Sequence, residues 1–484
     1  MAEKVYHASH AGRLARADGV GVGGSKECGS LVTIELRVQD GVISEARYQA
    51  YGCPATLASA EAVCEYAEGT SLLTAARLSE QTICAHLGLR SDKRYAATNA
   101  LDALHAALGC ILSRALAAGR SERSRLFPPS LGGSGVLVGM SGGVDSGYAA
   151  LRLLEADLLP VGITLRLWTE GGVPDQRSCC SFAAVRRARE VAHSLGMPHF
   201  TLDASEVFRE QVVAYFVTEY ARGRTPNPCA KCNARLRFAL LLEVAHLLGL
   251  ERVATGHYAR LTGSRPCLTR GVDTKKDQSY VLAEVPPEVL SGYMFPLGEL
   301  TKKEVRTAAA RAGLKHHLTP ESQEICFVPD NDYRRFLRRC LGELPGEVVD
   351  TSGRVLGSHS GTYNFTIGQR RGVGIAGGGP LYVVGVDGES RRVVVGRRAE
   401  TVVKVVHLES LVFHPSDGLG AVTIQLRSSG PAVPVREVRV EGGKALVTLA
   451  QPAYGVAPGQ TGVIYQGPQV WIAGTIGATE PLET

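Results

Sequence analysis

From Val136 onward the chain repeats one pattern, an apolar run, a glycine turn and an amphipathic stretch. "GVLVGMSGGVDSGYAALRLLEA", "LLPVGITLRLW", "VRRAREVAHSLGMPHFTLDA" and "LLLEVAHLLGLERVATGHYARL" all show it. Apolar strands alternating with amphipathic helices predict a parallel sheet covered on both faces, because parallel neighbours need long crossovers that here come as helices. This α/β unit is expected to span 134–340. Ahead of it, residues 31–50 alternate apolar and polar around an Asp40-Gly41 turn, a hairpin signal. Two helical patterns follow, "ATLASAEAVCEYAEG" and "YAATNALDALHAALGCILSRALAAG". Residues 1–120 therefore read as a small α+β domain, and the polar, Pro/Gly-rich segment 121–133 as a linker. After Pro345 helical patterns nearly vanish. Runs such as "RRVVVGRR", "AVTIQLRSS" and "QTGVIYQG" read as short strands, giving a small central domain at 341–400 and a β-barrel-like domain at 401–484.

A chain of 484 residues exceeds what one core holds, since single cores stop growing at roughly 250–300 residues. The excess of 53 Lys and Arg over 47 Asp and Glu suits an anionic partner but is far from a histone-like tail. Most of the twelve cysteines are scattered singly, which fits a reducing compartment rather than a disulfide scaffold. The start, "MAEKVYHASHAGRLARADGV", has no unbroken apolar core, and no stretch offers the ~20 consecutive apolar residues of a membrane helix. A cytoplasmic protein with no membrane partner is expected.

The first glycine turn holds Gly139, Met140, Ser141, Gly142, Gly143, Val144, Asp145 and Ser146 between an apolar strand and a helix. Glycines let backbone N–H groups approach an anion, and a helix N-terminus adds positive potential, so the segment has the character of a phosphate cradle. It lacks the Lys of GxxxxGK[ST] and the spacing of GxGxxG. The bland alternative is an ordinary turn with a Ser or Asp cap. The string SGGVDS resembles the PP-loop of N-type ATP pyrophosphatases. That resemblance implies cleavage of ATP between its α and β phosphates and adenylation of a substrate oxygen. Ser141, Gly142, Gly143, Asp145 and Ser146 would cradle pyrophosphate, with Mg²⁺ neutralising the phosphates.

Further motifs narrow the family. "TPNPCAKCN" (225–233), "ATGHYAR" (254–260), "KDQSYVLAEV" (276–285), "FPLGELTKKEVR" (295–306), "ESQEICFVPD" (321–330), "YNFTIGQRRGVGI" (363–375) and "APGQTGVIY" (457–465) resemble, in order, those of tRNA-specific 2-thiouridylases. The implied reaction is replacement of the C2 oxygen of a wobble uridine by sulfur. That oxygen is a poor leaving group until adenylated, and covalent activation splits one hard step into two. The resemblance places Leu165 and Gly256 near the adenosine and His257 near it or the reacting base. It puts Asn227, Pro228 and Cys229 against the target base, and Lys276, Asp277, Gln278, Arg427, Ser428 and Gln460 against tRNA. Cys326 would carry a persulfide and Cys232 would be its partnering nucleophile, with Asp145 the third catalytic residue. Taken singly, His257 would be a structural histidine, Cys326 a buried hydrophobe, and "YRRFLRRC" and "GQRRG" solvated faces. In this company Arg334, Arg335, Arg370 and Arg371 become candidate phosphate contacts.

Members of that family differ at position 229, some carrying Asp where this chain has Cys229. Cys229, Cys232 and Cys326 are also similar to the ligand set of tRNA thiolases that hold a 4Fe–4S cluster with one open iron. Three readings stand at this point: a Cys326 persulfide resolved by Cys232, a cluster on all three thiols, or a zinc site. The zinc lacks an evident fourth ligand, Cys179, Cys180 and Cys267 being unsupported additions. Residues 1–110 resemble the NifU/IscU iron–sulfur scaffold, with Cys28 and Cys53 on two of its three cysteines. At the third, the expected His-Cys pair reads Tyr95-Ala96, and Ser30 replaces an Asp. A cluster there needs Cys64, Cys84, Cys110 or another chain. The resemblance implies a degenerate scaffold that passes sulfur or cluster, docks a cysteine desulfurase, or mediates association. Two other functions fit parts of the chain: an iron–sulfur assembly scaffold with a tRNA-binding PP-loop module, and a PP-loop ligase or amidotransferase.

Overall fold

The computed structural model describes residues 8–25, 29–127, 134–168, 182–314, 325–328, 330–375 and 379–481; Cys28, Cys179 and Cys180 lie outside them. Strands β1 (Gly19–Ser25), β2 (Ser30–Gln39) and β3 (Val42–Tyr51) form an antiparallel sheet in that order. On β2 every second residue, Val32, Ile34, Leu36 and Val38, is buried, the period of a strand with one face on a core. Asp40 and Gly41 both have positive φ, 50° and 76°, as a two-residue primed hairpin turn requires. Helices α1 (Pro54–Ala67) and α2 (Arg94–Ala117) cover the sheet. The Gly-x-Gly-x-Gly of β1 is what lets α2 lie on it: a Cβ at Gly21 would come 2.1 Å from Ala103 O. By length and composition α2 is apolar enough to cross a membrane, but most of that stretch is buried inside the protein.

Residues 121–127, read from the sequence as linker, instead extend this domain. Arg120–Leu126 forms helix α3, Leu126 is buried, and Arg125 Nη2 donates to the buried Asp18 at 2.8 Å. Local composition suggested a loop; burial of one leucine and one ion pair decides for a helix.

The second domain is a parallel sheet in the order β10-β7-β4-β5-β6. Its strands are β4 (Gly135–Gly139), β5 (Leu159–Arg166), β6 (His199–Asp203), β7 (Arg252–Thr255) and β10 (Tyr293–Met294), with a hairpin of β8 (Ala259–Thr262) and β9 (Cys267–Arg270) between the last two. Helices α4 (Val144–Glu155) and α5 (Phe182–Ser194) connect β4 to β5 and β5 to β6. The chain runs outward from β4 to β6, then returns to set β7 on the other side of β4. Such a reversal leaves a crevice at the carboxyl end of the central strand, where α/β sheets bind ligands. The glycine loop stands there. Beyond the short helix α6 (Pro228–Cys232), described below, come α7 (Lys302–Arg311) and α8 (Tyr333–Leu341).

A four-stranded sheet, β12-β11-β14-β13, forms the central domain from β11 (Gly346–Asp350), β12 (Val355–His359), β13 (Tyr382–Asp387) and β14 (Arg392–Gly396). The last domain contains β15 (Val402–Phe413), β16 (Val422–Gln425), β17 (Ala432–Glu441), β18 (Lys444–Tyr454), β19 (Thr461–Gln466) and β20 (Gln469–Pro481). Pairing of β15 with both β18 and β20 closes these six strands into a barrel. Hairpin β8–β9 adds onto β20 through Gln469 and Thr269, tying barrel to parallel sheet.

The N-terminal domain is welded to the sheet rather than tethered to it. Leu108, Ile111 and Leu112 of α2 share one buried cluster with Phe200 and Leu202 of β6. Gly109 lets the helix approach: a Cβ there would lie 2.2 Å from Thr201 O. Asp102 of α2 accepts from Arg186 and Arg189 of α5. Ala76 O accepts from His199 N and pairs with His193 Nε2, each at 3.0 Å. Burial, reinforced by Arg189, holds His105 and His199 far below the usual imidazole range. Burial likewise brings His193 down from 6.5 to about 4, against its bond to Ala76 O. These histidines stay neutral when folded and take up protons only when the interface opens. Unfolded chains thus bind more protons between pH 6.5 and 4, so stability present above 6.5 is lost as the pH falls through that window. The melting temperature is expected to fall with pH there, and less steeply in a His105→Phe variant; thermal melts from pH 7.5 to 4.5 check this.

Candidate active site

The loop after β4 is built by a few specific contacts. Met140 N donates to Ile163 O on β5 at 2.7 Å, continuing the sheet by one residue. Gly142 turns at φ +75°, and a Cβ there would meet Ala184 O of α5 at 2.6 Å. Ser146 Oγ accepts from Ser141 N at 3.2 Å and donates to Gly143 O at 3.1 Å, folding the loop onto the first turn of α4. The N-cap residue of α4, Gly143, brings no side-chain acceptor, so the first-turn N–H groups keep their capacity for an anion.

Asp145, in that first turn, is held from outside the loop. Lys302 Nζ of α7 lies 2.7 and 2.6 Å from its two oxygens, and Tyr258 OH donates to Oδ1 at 2.7 Å. Gly256 sits directly against it: a Cβ at 256 would be 2.7 Å from Asp145 C and 2.8 Å from Ser146 N. His257 Nδ1 bonds Thr255 Oγ1 at 2.8 Å beside Phe238 and Phe295. Burial, then Arg237, lowers its pKa to about 3, so it is a neutral imidazole at physiological pH. Gln278 bonds Tyr258 twice, at 2.8 and 2.9 Å, linking the 276–278 segment to Asp145. Asp277 spends both oxygens internally, on Arg270, Gly271 and Ser279, while Lys276 is half-buried beside it. Leu165, at the carboxyl end of β5, is the loop's neighbour across the sheet.

The CxxC segment is gripped by three domains. Asn227 caps α6 by accepting from Ala230 N at 3.2 Å, with Pro228 in the first turn. Thr225 N donates to Pro458 O at 2.8 Å, and Thr225 Oγ1 donates to Thr366 Oγ1 at 3.2 Å. Gln460 donates to Thr225 O at 2.9 Å, so its amide braces this turn. Between the two cysteines, Lys231 is only 4% exposed. It pairs with buried Glu284 and donates to Thr475 Oγ1 at 2.7 Å, while Thr461 Oγ1 donates to Glu284 Oε1 at 2.7 Å. Sequence reading missed Tyr258, Lys231, Glu284 and Lys302. Only the unusual placing of a lysine inside CxxC and the TKKE start of α7 pointed to any of them.

The cysteines divide. Cys232, 5% exposed, belongs to an aromatic cluster with Phe208, Phe216, Phe327 and Phe336, and half-buried Cys326 packs against that same cluster, as do Leu165 and Trp168. Cys229 is exposed. Among the described residues no three His, Cys, Asp or Glu side chains stand where they could hold a metal ion. In the N-terminal domain Cys53 Sγ lies 3.1 Å from Tyr95 OH, and Ala96, fully buried, offers no ligand atom. Cys64 is buried, which pushes its thiol up, and Cys84 is raised by burial too. Cys110 stands on α2, ~20 Å along the helix from Ala96. Cys28, the other scaffold cysteine, lies outside the described residues. Burial raises the Cys53 thiol, but hydrogen bonds from Tyr95, Thr56 and Ala55 outweigh it and bring the pKa to about 7.

The chain matches four family models: the NifU-like N terminal domain over 1–117, the tRNA methyl transferase HUP domain over 134–330, the tRNA methyl transferase PRC-barrel domain over 334–397, and the aminomethyltransferase beta-barrel domain over 401–476. It is 46% identical to the bifunctional protein NifU/MnmA of Rubrobacter xylanophilus, covering 96% of this chain and 94% of that one. The chain belongs to the bifunctional NifU/MnmA family. The tRNA-specific 2-thiouridylases MnmA of Geobacter metallireducens and Carboxydothermus hydrogenoformans are 44% and 43% identical over 71% and 72% of this chain and 96% and 98% of theirs.

Within the MnmA portion, the positions the sequence assigned to ATP converge on the end of β4, and those assigned to the base converge on α6. Those assigned to tRNA are spread: Arg427 and Ser428 are exposed on the barrel, as are Arg334 and Arg335 on α8, and Arg370 and Arg371. Removing one partner of a buried ion pair costs about 3–5 kcal/mol, whereas replacing both by apolar groups is often near neutral. Lys231→Ala is expected to lower unfolding free energy by about 3 kcal/mol and Lys231→Met/Glu284→Leu to recover most of it, measured by urea denaturation. Gly142→Ala, which strains φ and strikes Ala184 O, is expected to weaken ATP binding by about tenfold or more and also to lower the melting temperature, read by nucleotide titration and thermal melts.

Proposed function

We propose that this chain replaces the C2 oxygen of the wobble uridine of tRNA by sulfur at the expense of ATP, in the cytoplasm. The observation that supports this most is the joint presence of an SGGVDS loop at a helix N-terminus and of two thiols, Cys232 and Cys326, on one cluster that also takes in Leu165. The family-model names speak of methyl transfer, whereas two thiols on one cluster beside a pyrophosphate-type loop suit sulfur transfer onto an adenylated oxygen, as do the 2-thiouridylase relatives.

In the first step the uridine O2 attacks the α-phosphorus of ATP. The O2–P bond forms, the bond to the bridging oxygen breaks, its electron pair leaves with pyrophosphate, and the N3 proton goes to water. Ser141, Gly142, Gly143 and Ser146 hold the pyrophosphate portion through backbone N–H groups and hydroxyls. Asp145 would be the carboxylate to hold a Mg²⁺ ion, which would supply charge neutralisation at the phosphates. In the second step the outer sulfur of a Cys326 persulfide attacks C2, and AMP departs with the C2–O2 electron pair. Cys232 thiolate then attacks Cys326 Sγ, the bond to the transferred sulfur breaks, and 2-thiouridine leaves with that sulfur as N3 regains a proton. The resulting Cys232–Cys326 disulfide is reset by a thiol reductant. A cysteine desulfurase supplies the persulfide sulfur, directly or by way of the N-terminal domain. Neutral His257 fits contact with an uncharged base better than a phosphate. The exposed arginines of α8 and of 370–371 suit the tRNA backbone.

Nucleoside analysis of tRNA treated with the full chain, ATP, a desulfurase and cysteine tests this. Cys232→Ser and Cys326→Ser are expected to lose 2-thiouridine by about 100-fold or more yet still release pyrophosphate when tRNA is added, while Cys229→Ala keeps both activities. No pyrophosphate release from the parent would leave a scaffold with a tRNA-binding module. Loss of thiolation in Cys229→Ala would return the three-thiol reading.

A further inference from the structure

Helix α5 stands between the N-terminal domain and the glycine loop. At about 3.6 residues per turn, Arg186, Arg189 and His193 fall on one side of it and Ala184, Ala188 and Val191 on the opposite side. Both sides are in use. On the first, Asp102 of α2 accepts from Arg186 Nε at 3.0 Å and from Arg189, while His193 Nε2 lies 3.0 Å from Ala76 O. On the second, Ala188 and Val191 are buried with Val144, Tyr148 and Ala149 of α4.

Against the loop itself the contact is backbone on backbone. Gly142 lies so near α5 that a Cβ on it would be 2.6 Å from Ala184 O and 3.2 Å from Ala188 N, and a Cβ at Gly147 would be 3.0 Å from Val191 Cγ1. No side chain at 142 can take up a displacement, so the loop follows the helix. What fixes the helix is charge on its far side. Arg189 is only 8% exposed, and a buried guanidinium is tolerated only with its counter-charge beside it. Among the described residues that carboxylate is Asp102, which another domain contributes. Without it, α5 has to shift to bring the Arg189 head to water, and Ala184 moves with it.

We propose that the N-terminal domain is a working part of the nucleotide site, and that Asp102 is the positioning residue through which it holds the ATP loop, by way of α5. The inference rests on the reading of 139–146 as the ATP loop. It gives the domain a part in the reaction that is separate from any sulfur it carries, since no thiol belongs to this contact. A loop that grips phosphate through backbone N–H groups depends on their placement, and an error of an ångström is costly there.

The test uses the full chain with four substitutions. Asp102→Ala and Asp102→Glu alter the carboxylate, Arg186→Met removes only its more exposed partner, and Val32→Ala opens the core of the N-terminal sheet instead. Dissociation constants for ATP and for tRNA are measured at equilibrium, alongside melting temperatures. ATP affinity is expected to fall about tenfold in Asp102→Ala and about threefold in Arg186→Met, with tRNA affinity staying within about twofold of the parent. Asp102→Glu, which keeps a carboxylate on a longer arm, recovers part of the loss. Val32→Ala lowers the melting temperature and leaves ATP affinity unchanged. ATP affinity within about twofold of the parent in Asp102→Ala, or in Arg186→Met should the former not fold, overturns the proposal. So does an ATP affinity that simply follows melting temperature across all the variants. A parent that binds no ATP overturns the loop reading along with it.

Discussion

The buried pair of Lys231 and Glu284 is the contact on which the arrangement of domains around the cysteines depends. An ammonium and a carboxylate removed from water are tolerable only with close, well-supported partners. Thr475 and Thr461 of the barrel supply that support. The helix carrying Cys229 and Cys232 is therefore anchored to the barrel through this pair. The barrel in turn reaches it through Pro458 and Gln460, while Thr366 of the central domain holds the preceding turn. Motifs hundreds of residues apart in the chain are the several sides of this one joint.

A second joint works by small residues instead of charge. Gly21 and Gly109 allow α2 to lie against β1 on one side and β6 on the other at distances that no side chain permits. The result is a scaffold-like domain sharing its core with the parallel sheet. Where the scaffold pattern has a His-Cys pair this domain has Tyr95-Ala96, and the Tyr95 hydroxyl bonds Cys53. Among its described residues it carries one thiol of lowered pKa, Cys53, and it is packed against the parallel sheet. Rigid attachment gives up the independent motion of a free scaffold and replaces it with constant proximity.

Much of the fold was legible because it follows from local periodicity. The Asp40-Gly41 hairpin, both long N-terminal helices, the parallel sheet and the closing strands of the barrel stand where alternation and glycine placement put them. Residues 121–127 misled because a polar, arginine-rich stretch reads as loop until Asp18, a hundred residues earlier, is seen to receive Arg125. The loop 139–146 was legible as a phosphate cradle since glycine, serine and a following helix are all local features.

By itself the sequence determined the family and the order of its folds, because each is written in contiguous residues, and it pointed to a glycine loop and to particular thiols. It left open whether three cysteines make a cluster or two make a relay. That question concerns distance between segments a hundred residues apart, and what tertiary structure adds is that Cys232 is buried in the aromatic cluster on which Cys326 packs while Cys229 is exposed. Tertiary structure alone also chose Lys302 for Asp145 and Glu284 for Lys231. Charged partners of this kind are fixed by where helices pack, and packing is decided by the whole core rather than by any short stretch of chain.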